Sequence, residues 1–147
     1  MKVNIQDLYQ YHSSISEKLN EKIDSLIKNS NFIQGAEVEE FEKEFALKIG
    51  GKHCVSCANG TDAIYIALKA LNLKPGDEVI VPAISWISTS EAVTQAGGKP
   101  IFCDVDKDLF TIDCDQIEQK ITKKTKAIIP VHLYGQATDM LKVCSLA

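Results

Sequence analysis

Three short apolar runs, Glu78–Pro82, Pro100–Cys103 and Lys126–Val131, constrain what this chain can fold into more than any other feature. The first reads Glu-Val-Ile-Val-Pro, a continuous β-branched stretch following the turn Lys74-Pro75-Gly76-Asp77, and it predicts a strand buried on both faces. Helical patterns separate the runs: one over Trp86–Ala96, stopped by Gly97-Gly98, and one over Asp113–Ile121. Apolar strands alternating with helices specify an α/β fold: a mostly parallel sheet covered on both faces, joined by right-handed crossovers. Ligands of such sheets collect at the carboxyl ends of the strands. Ser85, Trp86 and the stretch His132–Gln136 fall at those ends.

Upstream, Cys54–Leu73 couples a glycine turn to a strongly periodic helix with Ala63, Ile64, Ala67, Leu68 and Leu71 on one face. Gly60 is expected to adopt a backbone conformation closed to other residues and Thr61 to cap the helix. The amides of Thr61, Asp62 and Ala63 would then point outward, and amides at the positive end of a helix dipole bind phosphate or carboxylate without a cationic side chain. A plain helix cap is the other reading of Gly60–Asp62. Nearer the amino terminus, Ser14 and Glu17 form a capping-box pattern that predicts a helix over Ser14–Lys28. A polar turn, Asn29–Gly35, leads to a second helix built on Val38, Phe41, Phe45 and Ile49 and stopped by Gly50-Gly51. This divides the chain into an arm and loop, residues 1–35, and a sheet domain, residues 36–147. A last helix is expected to start at Thr138 or Asp139 and to be cut short at Ala147, and three strands leave a sheet edge open. Both features suggest a portion of a larger fold.

Composition narrows the function. A net charge of −4 with no basic cluster argues against nucleic acid as a partner, and no apolar run is long enough to cross a membrane. Five cysteines without framework spacing, and no apolar signal core at the start, predict a reducing, cytoplasmic setting. All sixteen basic residues are lysine, so a substrate carboxylate would lack its usual bidentate arginine partner here. Cys54-Val-Ser-Cys57 has redox spacing but no second pair to complete a zinc site, and small buried cysteines explain it. Asp104-Val-Asp106-Lys-Asp108 opens like a calcium loop, yet the sixth position is Leu109 and the twelfth Asp115. No metal site is expected.

Taken in order, Asn59-Gly60-Thr61-Asp62-Ala63, Pro75-Gly76-Asp77-Glu78-Val79-Ile80-Val81-Pro82, Trp86-Ile87-Ser88-Thr89, Phe102-Cys103-Asp104-Val105-Asp106 and Ile129-Pro130-Val131-His132-Leu133-Tyr134-Gly135-Gln136 form a series of blocks. The series resembles the DegT/DnrJ/EryC1/StrS family of pyridoxal-phosphate-dependent sugar aminotransferases, from Phe32–Gly35 to Met140. The resemblance implies part of the large domain of a fold-type I transferase, with pyridoxal 5'-phosphate as cofactor and a homodimer sharing each active site. It implies that Gly60, Thr61 and Asp62 hold the cofactor phosphate, Asp62 through its amide with its carboxylate turned away. It further implies that Trp86 stacks on the pyridine ring, where composition alone would make it a core residue. Phe32 and Gly35 would approach the nucleotide-sugar substrate and Tyr134 and Gln136 border the sugar, while His132 reads as a hydrogen-bonded structural residue. The activity implied is transfer of an amino group from a glutamate- or glutamine-like donor to a keto-sugar nucleotide. The family's cofactor-tethering lysine and its ring-nitrogen acid match no position here, so no catalytic residue is assigned and the chain alone is expected to be inactive. A non-catalytic phosphate-binding or assembly module, and a dehydratase of the same family with histidine at the lysine position, are the alternatives.

Overall fold

The apolar runs form three parallel strands in the computed structural model, which describes residues 7–147. They are β1 (Glu78–Pro82), β2 (Lys99–Cys103) and β3 (Thr125–Ile128), arranged β2-β1-β3. Glu78 pairs with Lys99 and Pro82 with Cys103 on one side of β1, and Ile80 pairs with Ile128 on the other. The first strand is therefore central, and its four residues Val79–Pro82 are all buried, as the continuous apolar run requires. β3 is shorter than the predicted Lys126–Val131: the Ile129 amide still donates to the Ile80 carbonyl at 2.8 Å, but Pro130 has no N–H to continue the ladder.

Six helices accompany the strands among the described residues: α1 (Leu8–Asn29), α2 (Ala36–Lys48), α3 (Gly60–Ala70), α4 (Ser88–Ala96), α5 (Cys114–Lys120) and α6 (Met140–Leu146). The chain forms two compact units, Met1–Ser56 and Cys57–Ala147, so α1 and α2 belong to the first and the sheet to the second. In the second unit the two faces of β1 nucleate two cores, because successive strand side chains point to opposite faces. Val79 and Val81 pack with Leu68, Leu73, Ala92, Val93 and Ala96 of the α3–α4 side. Ile80 packs with Cys103, Ile112, Ile117 and Val143 of the α5–α6 side. The predicted α/β sandwich with helices on both faces is thus present.

Helix boundaries differ from expectation where side chains choose the cap. α1 starts at Leu8, not Ser14, because the Asp7 carboxylate accepts from the Gln10 amide. The hydroxyls of Ser13 and Ser14 instead donate to the carbonyls of Tyr9 and Tyr11, both at 2.7 Å, a back-bonding that lets serine sit inside a helix. α4 ends as predicted on Gly97, whose φ of 99° is the left-handed conformation that favours glycine, with the Gly98 amide donating to the Val93 carbonyl. α6 starts after Asp139, one of the two predicted positions, whose carboxylate accepts from the Lys142 amide.

The segment after β2 carries a tight turn in which the Asp106 carboxylate accepts from the amides of Leu109 (2.7 Å) and Asp108 (2.9 Å). Those two bonds, Leu109's first, favour the charged form and hold the Asp106 carboxyl below its usual pKa. A lowered folded value means that the turn's stabilisation is complete above the ordinary carboxylate range and is lost as pH falls through the folded value. Carboxyl carbon NMR titration is expected to place Asp106 below the model-peptide value, with the Asp108 and Leu109 amide shifts following the same curve.

Candidate functional site

The amino terminus of α3 is built by Asn59. Its backbone is extended (φ −163°, ψ 175°), its side-chain oxygen accepts from the Asp62 amide at 2.9 Å, and its carbonyl accepts from the Ala63 amide at 3.0 Å. Asn59, not Thr61, is the cap, because a residue just outside the helix reaches back to the third amide while one inside it does not. Two of the three amides expected to be free, those of Asp62 and Ala63, are therefore engaged. Among the described residues the amides of Gly60 and Thr61 have no partner in the chain. The Asp62 carboxylate is held by the Asn59 side-chain amide at 3.0 Å, so the cap fixes both ends of this residue.

Gly60 also departs from expectation. It is the first helical residue and has no positive φ, so the fold does not need glycine there for its backbone conformation. A Cβ at this position would meet nothing within 4 Å. The space beside the Gly60 Cα is open.

Thr61 is tied across to the neighbouring helix. Its hydroxyl donates to the Ser88 hydroxyl at 2.8 Å, and Ser88, the first residue of α4, is only 8% exposed. Just before it, the β1–α4 loop is closed by a Thr89 amide bond to the Trp86 carbonyl (3.0 Å) and by a contact of the Ser85 and Thr89 hydroxyls (2.9 Å). Trp86 lies in this loop, two residues ahead of the helix predicted to begin with it, and its side chain is 78% exposed. It is not a core tryptophan. The α3 amino terminus and Trp86 are thus brought to the carboxyl end of β1, and Ser88, which residue-by-residue reading passed over, links them. The signal available for it was the hydroxyl-rich run Ser85-Trp-Ile-Ser-Thr-Ser90 at a strand end.

Tyr134 and Gln136 line a concavity of about 560 Å³ together with Ile84, Asp108, Leu109, Phe110 and Leu133. Tyr134 is fully exposed and left-handed (φ 51°), followed by Gly135 at φ 84°. His132 closes the base of this turn: its Nδ1 accepts from the Thr138 amide at 3.1 Å, the structural role expected of it. Phe32, exposed, and Gly35, the residue before α2, belong to the Met1–Ser56 unit. Cys57 corrects the expectation of two small buried cysteines: it is exposed, with its thiol donating to the Asn59 carbonyl at 3.4 Å, and Cys54 is half-buried.

Residues 13–147 match the sequence pattern of the DegT/DnrJ/EryC1/StrS aminotransferase family. A pleiotropic regulatory protein of Geobacillus stearothermophilus is 42% identical over all of this chain and 40% of its own length. A UDP-2-acetamido-2-deoxy-3-oxo-D-glucuronate aminotransferase of Pseudomonas aeruginosa is 41% identical over 96% of this chain and 39% of its own length. Among solved structures, NtdA from Bacillus subtilis with bound cofactor PMP superposes with a TM-score of 0.88 at 40% identity, covering 91% of this chain and 31% of that one. The chain spans about two fifths of the length of these two curated relatives. With a match over nearly its whole length and the corresponding fold, the chain belongs to the DegT/DnrJ/EryC1/StrS aminotransferase family.

Proposed function

We propose that the chain is the cofactor-phosphate-binding, amino-terminal part of a pyridoxal 5'-phosphate-dependent aminotransferase acting on a keto-sugar nucleotide with a glutamate- or glutamine-like donor. The observation that carries this reading is the pair of free amides, Gly60 and Thr61, at the amino terminus of an eleven-residue helix at the carboxyl end of a parallel sheet. The residues fit a phosphate. Two amides and the Thr61–Ser88 hydroxyl pair are gathered there, open space lies beside the Gly60 Cα, and the Asp62 carboxylate is held by Asn59. Gly60 and Thr61 would hold the phosphate, Asp62 would keep the cap in register, and Trp86 would lay its indole on the ring. Such stacking contributes about 1 kcal/mol beyond area burial and fixes the plane of the ring. When bound, the cofactor supplies the conjugated, electron-withdrawing system on which amino transfer depends.

The apolar concavity beside Tyr134 and Gln136 suits the less polar faces of a sugar, and by family likeness Phe32 and Gly35 of the 1–35 arm would meet the nucleotide part. The parent protein would be a cytoplasmic homodimer; among the described residues no helix is long and apolar enough to cross a membrane.

On its own the chain is proposed to bind the cofactor without turning it over. The placement of lysines favours this. Lys74, Lys99, Lys123 and Lys124 precede or open strands, and Lys69 and Lys120 lie in the last turns of helices that run back to the strands' amino ends. Past the carboxyl ends, Lys107 lies exposed in the turn after β2, between Asp106 and Asp108, and Lys142 is held by the Asp115 carboxylate, which raises its pKa, the opposite of what a nucleophilic amine needs. Borohydride reduction of the chain with pyridoxal phosphate, followed by peptide mass spectrometry, is expected to label no lysine in preference to the others. A stoichiometric adduct at one lysine would overturn this.

A further inference from the structure

We infer that Ser88 is a positioning residue that sets the phosphate-holding end of α3 against the ring-holding Trp86. The inference rests on the cofactor reading above and adds a residue to it. Three observations lead there. Ser88 is buried, its hydroxyl oxygen accepts from Thr61, and no acceptor in the chain takes its own proton among the described residues. Ser88 follows Trp86 by two residues in a loop braced by the Thr89 amide and the Ser85–Thr89 hydroxyl contact, so a shift of Ser88 moves the loop that carries the indole. Thr61 carries one of the two free amides, so the same hydrogen bond fixes the amide end.

Packing alone does not account for Ser88: its oxygen takes the Thr61 proton, yet its own proton meets no acceptor in the chain among the described residues, so one buried donor stays unmatched. As a relay it is well placed. Thr61 gives its proton to Ser88, its lone pairs are fixed in direction, and the Ser88 proton is left without an acceptor in the chain among the described residues. The gap between phosphate and ring would then be set through one 2.8 Å bond joining the two helices and through the braced loop that carries Trp86.

Trp86 is the only tryptophan, so its fluorescence reports ligand at the ring position directly. Titrations of the wild-type chain, Ser88→Ala, Thr61→Val and the double variant would use pyridoxal phosphate and, in parallel, pyridoxal, which lacks the phosphate. The expected result is phosphate-dependent quenching in the wild type, a five- to twenty-fold loss of pyridoxal-phosphate affinity in Ser88→Ala, and a double variant scarcely weaker than Thr61→Val alone. Ser88→Thr, which keeps the hydroxyl, should recover most of the loss, and circular dichroism melts of each variant separate binding from folding. If pyridoxal binds the wild type as tightly as pyridoxal phosphate, the cofactor-phosphate reading itself fails. If the wild type discriminates but Ser88→Ala binds as well as wild type, or its loss adds fully to that of Thr61→Val, the positioning role of Ser88 fails and the reading stands.

Discussion

Replacing Gly60 by proline is expected to weaken binding of pyridoxal phosphate roughly ten- to hundred-fold while leaving α3 intact. Gly60 is the first residue of the helix, where proline's fixed φ suits the helical start and its missing N–H disrupts no helical bond. Asn59 before it is extended, the conformation a following proline favours. The substitution therefore removes one amide from the terminus and little else. A hydrogen bond to a charged acceptor contributes about 1.5–3 kcal/mol, which sets the expected loss. Gly60→Ala is the matched control: it keeps the N–H and places its Cβ where nothing lies within 4 Å, so it should bind nearly as wild type. Equal binding by all three chains would leave Asn59-Gly60-Thr61 as a helix cap and no more. Isothermal titration together with circular dichroism reads both arms.

The largest effect on stability is expected at Ile80. It is fully buried in the central strand and packs with Cys103, Ile112, Ile117 and Val143, which come from β2, the segment before α5, α5 itself and α6. Ile80→Ala leaves a cavity that four separately anchored segments would have to move to fill, and such substitutions cost about 2–5 kcal/mol. Total stabilities of domains lie at roughly 5–15 kcal/mol, so a large fraction would be lost, with a fall of roughly 10–20 °C in melting temperature for a unit this size. Val79→Ala, on the opposite face, should cost less, since the smaller side chain leaves a smaller void. A melting temperature unchanged in Ile80→Ala would contradict the two-core arrangement around β1.

The layout of the sheet unit was legible because a strand buried on both faces has to be continuously apolar, and Glu78–Pro82 is. What could not be read was decided by atoms rather than patterns. Ser14-x-x-Glu17 has the spacing of a cap, but Leu8, Tyr9 and Tyr11 lie ahead of it in the same unbroken helix, which the Asp7 carboxylate caps instead. At α3, Asn59 and Thr61 compete in the same way, and the choice matters more, because it decides that Gly60 and Thr61 hold the free amides in place of Thr61, Asp62 and Ala63. The Asn-Gly-Thr turn suggested a left-handed backbone at Gly60, whereas its φ is not positive and a Cβ there would meet nothing within 4 Å.

Trp86 was placed by family likeness and not by composition, since a lone tryptophan in a small domain is more often core. Its exposure rules out the core reading in this chain, and a ring that serves a ligand, as proposed above, would be buried by the ligand and not by the fold. The Thr61–Ser88 bond could not be anticipated from either residue. The two are 27 positions apart, and they meet only because α3 and α4 pack side by side on one face of β1.

The measurement that bears most directly on the central claim is an amide NMR titration of the chain with pyridoxal phosphate. Saturable downfield shifts are expected, confined chiefly to the Gly60 and Thr61 amides, with the Trp86 indole N–H perturbed over the same concentration range. Binding that moves neither amide, or shifts distributed over the lysine-rich surface alone, would contradict it.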